Sequence, residues 1–190
     1  QAWVDTLVSR LLPEVVVALD LVDISSLQGR SALVTGGASG IGIACATKIA
    51  EAGTFVTISD LQETAGLAVV QDLIQRGCRA QFVQFDFTSY ATQVTMFKKA
   101  IQFGNGRIDI VIPNAGIIAE NSLFEILPQA TLALNSPPPP EPGFLGCDVN
   151  IQAVYNTCYL AMHYLRLPRD PADTYKPSIV FIASLAGYIA

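Results

Sequence analysis

The chain has 190 residues, enough for one domain with a full core and short of the length that usually divides into two. Hydrophobic residues make up 51% and charged ones only 14%, which suits a buried parallel sheet whose strands read as continuous apolar runs. A net charge of −5 without any Lys/Arg cluster argues against nucleic acid as a partner, and no stretch reaches the about 18 apolar residues of a membrane span.

Four cysteines (Cys45, Cys78, Cys147, Cys158) show no C-x-x-C spacing, and His163 is the single histidine. That argues against a structural zinc site and for free thiols in a reducing, cytoplasmic setting. The N-terminus has no basic region followed by an apolar core and a cleavage site. Residues 1–29 form an extension. Trp3, Val4, Leu7, Val8, Leu11 and Leu12 have helical spacing that Pro13 stops, and no function is assigned to it.

From Arg30 the pattern alternates. Ser31–Val34 is a first strand, followed by Thr35-Gly36-Gly37-Ala38-Ser39-Gly40-Ile41-Gly42 and a helix that ends at Ala52-Gly53. Thr54–Ser59 is a β-branched second strand ending in Asp60, and a helix runs from Leu61 to Arg76. Arg79–Phe85 is a third strand ending in Asp86; a helix from about Ser89 to Phe103 stops at Gly104-Asn105-Gly106. Ile108–Ile112 is the fourth strand, broken by Pro113-Asn114-Ala115-Gly116.

After a proline-rich insertion at about 135–143, a long helix spans Asp148–Leu165 with apolar residues on most faces, so burial on more than one side is expected. Ser178–Ala183 is a fifth strand running into Ser184. This βαβαβαβ order predicts an α/β fold, a doubly wound parallel sheet of Rossmann type, over residues 30–190.

A strand that ends in glycines and opens into a helix is a site for an anion. First-turn amides lack helical partners, the helix dipole adds positive charge, and glycine lets a phosphate approach the backbone. A turn that merely ends a strand is the plainer reading. The spacing G-x-x-x-G-x-G differs from the general G-x-G-x-x-G fingerprint. It resembles the cofactor loop of the short-chain dehydrogenase/reductase family, and Asn114-Ala115-Gly116 and Ile182-Ala183-Ser184 agree with that family in order.

The resemblance implies an NAD-dependent oxidoreductase moving hydride between a secondary alcohol or ketone and the cofactor. Gly36, Ser39, Gly40, Ile41 and Gly42 would seat the pyrophosphate. Asp60, 18 residues after Gly42, would accept both adenosine ribose hydroxyls and repel a 2′-phosphate. Neither Ser39 nor Leu61 offers a positive charge to that phosphate, so NAD is favoured over NADP; Asp60 as a simple helix cap is the alternative. Asp86 with Phe87 matches the adenine-contacting position, or a turn. Asn114, Ala115 and Gly116 would line the cofactor ribose, or serve as a structural turn. Asn150 would kink the long helix and order a water in a proton relay. Ser184, at the carboxyl end of its strand, would hydrogen-bond the substrate oxygen, or be a bland strand-end serine.

The family's Tyr-x-x-x-Lys, whose Lys lowers the Tyr pKa, does not follow Ser184 within these residues. The 190-residue chain is therefore expected to lack dehydrogenase activity by itself. A non-catalytic NAD-binding module and a truncated inactive fragment are the rival readings. The helix 148–165 packs in the family against a second subunit, which implies a homodimer or homotetramer.

Overall fold

The computed structural model describes residues 24–118, 135, 136, 138 and 143–184. Most of the N-terminal extension and of the proline-rich insertion therefore lies outside the described residues. Five strands pair in parallel: β1 (Ser31–Thr35), β2 (Phe55–Asp60), β3 (Arg79–Gln84), β4 (Ile110–Pro113) and β5 (Ser178–Ile179). Their spatial order is β3-β2-β1-β4-β5. Between them run α1 (Gly40–Glu51), α2 (Glu63–Gln75), α3 (Tyr90–Phe103) and α4 (Val154–Tyr164). The chain moves outward from β1 to β3 and then crosses back to β4. The carboxyl ends of β1 and β4 thus form the switch point where ligands enter such sheets.

Both faces of the sheet are covered, as its apolar strands require. On one face Val34, Ile58 and Ile112 pack with Leu73 of α2 and with Ala46 and Ala50 of α1. The buried residues of α1 are Gly42, Ala46 and Ala50, small side chains that let the helix lie close to the sheet. On the other face Leu33 and Val111 meet Met96 and Phe97 of α3 and Leu160 of α4. Phe97 is fully buried, a contribution of roughly 1.5–3 kcal/mol.

Two elements depart from expectation. β5 pairs over Ser178–Ile179 alone, and beyond the Val180 amide's 2.9 Å bond to Val111 O the chain leaves the ladder. Pro113, which stands where β4 would continue the pairing, has no N–H to give. The long helix begins with a turn at Leu145–Cys147 and a π-helical stretch at Asp148–Ala153 before α4. Nor is it buried on several sides among the described residues. Thr157, Leu160 and Ala161 face the core, whereas Ile151, Tyr155, Tyr159 and Met162 are exposed.

At the amino end of the sheet a charge cluster ties three strands together. Asp109, fully buried, accepts the Ser31 amide at 2.8 Å and faces Arg107 and Arg169. Asp173 takes Arg30 at 2.6 Å and Arg107 at 3.4 Å. Arg30 stacks over Tyr175 at 4.3 Å, closing the loop before β5 onto β1.

Candidate active site

The glycine turn holds three segments in contact. Gly36 has φ +64°, and a Cβ there would stand 2.7 Å from Ala115 Cα. A Cβ on Gly42 would lie 2.1 Å from Gly36 O and 2.7 Å from Asn114 Nδ2. Thus the two glycines let the start of α1 and the end of β4 close on the turn. Ser39 is the N-cap of α1, and its side chain makes no capping hydrogen bond. Gly40 has φ +47°, and a Cβ there would meet no protein atom within 4 Å. Its side opens outward from the packed turn.

Asn114 locks the switch point. Its Nδ2 donates to Thr35 O and Gly36 O, each at 3.0 Å, and its own amide donates to Thr35 Oγ1 at 3.0 Å. The Ala115 amide shares that hydroxyl at 3.2 Å. Asn114 therefore has a structural role, but through bonds to β1 and not through a local turn on its own backbone.

Asp60 ends β2 and is 7% exposed. Its Oδ2 accepts the Ala38 amide at 3.0 Å, and its Oδ1 accepts the Gln62 amide at 3.0 Å. One carboxylate thus caps the approach to α2 and also pins the glycine turn. A carboxylate offers about four acceptor positions, so capacity remains for hydroxyl donors. Asp86 forms a local turn: its Oδ1 accepts the Thr88 amide at 2.9 Å and the Thr88 hydroxyl at 2.7 Å. Those two bonds favour the ionised form and hold its pKa below the usual carboxylate range.

Gly36, Ser39, Asp60, Leu61, Asp86, Phe87, Asn114, Ala115 and Gly116 converge on one cleft of about 310 Å³. Gln62, Thr88, Ile117, Leu145 and Val149 complete it, and sequence reading had not singled these out. The spacing of Leu145 and Val149, one turn apart just before Asn150, was the available signal. A second cleft of about 580 Å³ shares Asn114–Gly116 and adds Ile41, Asn150 and Ser184. Gly40 and Gly42 line neither cleft; they shape the turn beneath.

Asn150 sits within the π-helical stretch, a widened turn. Its side chain pairs with one residue: Oδ1 accepts the Ile117 amide and Nδ2 donates to Ile117 O, each at 2.8 Å. Ser184 is exposed at the mouth of the second cleft. Apart from these groups the second cleft is apolar, with Val154, Phe181 and Ile182 among its walls.

Parallel order, switch-point cleft and glycine turn define a Rossmann-like α/β domain. Residues 30–190 match the short chain dehydrogenase family, and the chain belongs to that family of oxidoreductases. It is 38% identical over 181 residues to a 5′-hydroxyaverantin dehydrogenase of Emericella nidulans, covering 90% of this chain and 57% of that protein. It is 31% identical to an NADP-dependent dehydrogenase of Cochliobolus lunatus, over 90% of this chain and 59% of the relative. The chain thus spans a little over half the length of the curated relatives it matches. A short chain dehydrogenase/reductase of Burkholderia phymatum, solved in complex with NAD, superposes with a TM-score of 0.70. At 24% identity, over 87% of this chain and 52% of that one, it shows the shared fold. Among the described residues no helix is long and apolar enough to cross a membrane.

Proposed function

We propose that residues 30–190 form the cofactor-binding part of an NAD-dependent oxidoreductase acting on a secondary alcohol or ketone. The observation that carries this is the Asp60 carboxylate. It stands at the carboxyl end of β2, in a cleft with no Lys or Arg among its lining residues. Ribose hydroxyls find an acceptor there, and a 2′-phosphate would meet negative charge without a compensating cation. The glycine turn suits the pyrophosphate, and Asp86 with Phe87 borders the adenine end. Bound nicotinamide would supply the hydride acceptor or donor. Ser184 would hold the substrate oxygen across the second cleft, with Asn150 beside it.

Titrating the chain with NADH and NADPH, read by reduced-nicotinamide fluorescence, tests the reading. NADH should bind at least about tenfold tighter, a difference of about 1.4 kcal/mol. Asp60→Ala should weaken NADH and narrow the preference. Equal or tighter binding of NADPH would assign the cleft to NADP, as in the Cochliobolus relative's name. Binding of neither nucleotide would remove the cofactor reading.

A further inference from the structure

A buried amide lies behind the cofactor cleft, and none of the roles assigned above uses it. Gln93, on α3, is fully buried among apolar neighbours, where an amide survives only if its hydrogen-bonding capacity is met. Its Nε2 donates to Phe87 O at 2.8 Å and to Ala153 O at 3.2 Å. Its Oε1 lies 3.1 Å from the hydroxyl of Thr157, itself 1% exposed and 2.9 Å from Ala153 O. An apolar residue would fill this space without the cost of desolvating an amide. The geometry shows what the amide does instead.

Its two acceptors belong to segments that border different clefts: Phe87 lines the first, and Ala153 ends the stretch whose Asn150 lines the second. Phe87 follows Asp86, and its ring stacks edge-on against Phe85 at 4.9 Å, forming the wall at the adenine end. Ala153 ends the π-helical stretch that carries Asn150. Ala153 is the N-cap of α4, and its carbonyl takes a side-chain bond from Gln93 Nε2 and lies in reach of the Thr157 hydroxyl one turn on, whose single proton is shared between Ala153 O and Gln93 Oε1. From there the connection runs along the π stretch to Asn150, across its paired bonds to Ile117, and so to Gly116 and Asn114 at the switch point.

We infer that Gln93 is a positioning residue that couples the adenine wall of the cleft to the π-helical segment holding Asn150. This rests on the cofactor reading for its functional consequence, but the coupling itself is a property of the free protein. One donor group serves both carbonyls, so neither Phe87 nor Ala153 can shift without disturbing the other. Thr157 fixes the amide's orientation by donating its hydroxyl to Oε1. Small movements at either end are then shared, and nucleotide binding at the adenine end arrives with Asn150 already placed.

The test uses Gln93→Met, which keeps an unbranched chain of similar length and removes every donor. Amide hydrogen exchange of the free 190-residue protein is followed at Thr88, at the adenine end, and at Ile117, at the Asn150 end. Both amides bond groups that Gln93 does not touch. Both should exchange about tenfold faster, the factor that one hydrogen bond's net contribution corresponds to. The β1 amides of Leu33 and Val34 should change less. Thr157→Val should produce the same pair of changes more weakly, and Thr157→Ser, which keeps the hydroxyl, should restore wild-type exchange. Affinity for ADP and for NADH should fall together in Gln93→Met. Acceleration at one end alone, acceleration of all amides by one factor, or no change would overturn the coupling. Should Gln93→Met fail to fold, the Thr157 pair decides on the same amides. If the wild-type protein binds neither ADP nor NADH, the cofactor reading fails, and the exchange data still decide on Gln93.

Discussion

A single methyl group on Gly42 would test how much the site depends on close approach. The obstructing atoms are backbone and a locked amide, Gly36 O at 2.1 Å and Asn114 Nδ2 at 2.7 Å, so relief requires the turn to move. Gly42→Ala should therefore cost about 1–3 kcal/mol of stability and weaken NADH binding, read by urea unfolding and nucleotide titration. An unchanged unfolding midpoint would show that the turn can yield. The need for glycine at 36, 40 and 42 was legible in the spacing alone. What spacing could not reveal is the double use of Asp60, whose carboxylate reaches Ala38 across 22 residues. That bond exists because sheet register sets Thr35 beside Ser59, a long-range fact with no local trace. Asp86 was open between turn and contact for the opposite reason. Its partner Thr88 is local, so a turn was readable, but only the fold shows the same residue at the cleft wall.

At the level of elements, strand and helix order followed from hydrophobic period and glycine stops, because both faces of the sheet demand apolar strands. The π-helical stretch at Asp148–Ala153 was not legible. Over six residues a widened turn hardly alters an apolar pattern, and the partners that Asn150 and Ala153 find, Ile117 and Gln93, are distant in sequence. Nor did pattern alone reveal which side of α4 is covered. Ile151, Tyr155, Tyr159 and Met162 recur at helical spacing with 61–69% of their surface exposed, an apolar stripe of the kind that marks an interface. The family resemblance pairs this helix with a second copy, which fits the stripe's chemistry. Replacing Tyr155 and Met162 together, as Tyr155→Ser with Met162→Gln, should lower self-association in sedimentation without altering NADH affinity. Association unchanged by the pair would place any contact between copies elsewhere.

For the molecule as a whole, the two ends of the sheet carry different burdens. The carboxyl ends of β1, β2 and β4 border the cleft through Gly36, Asp60 and Asn114, whereas the amino ends are closed by Asp109, Asp173 and three arginines. The amino-end cluster has no part in the proposed chemistry, so its loss should affect stability and leave binding intact. Acid provides the probe. Hydrogen bonding from Arg30, then from the Tyr175 amide, lowers the Asp173 pKa from 3.8 to about 2. A carboxylate depressed by folding stabilises the protein above its unfolded pKa, and that contribution is lost as pH falls through the folded value. Wild type should therefore be more stable than Asp173→Asn at pH 7, with the gap narrowing between about pH 4 and pH 2 and vanishing below. Asp86 titrates in the same direction, so wild type and variant will both lose stability in acid; only their difference reports Asp173. Urea midpoints measured across this range check the shape of that difference, and NADH titration at pH 7 checks that the folded variant binds as wild type does. A gap independent of pH would mean that Asp173 acts through packing and not through its charge. Weakened NADH binding in the folded variant would mean that the amino-end clamp and the carboxyl-end cleft are coupled through the strands.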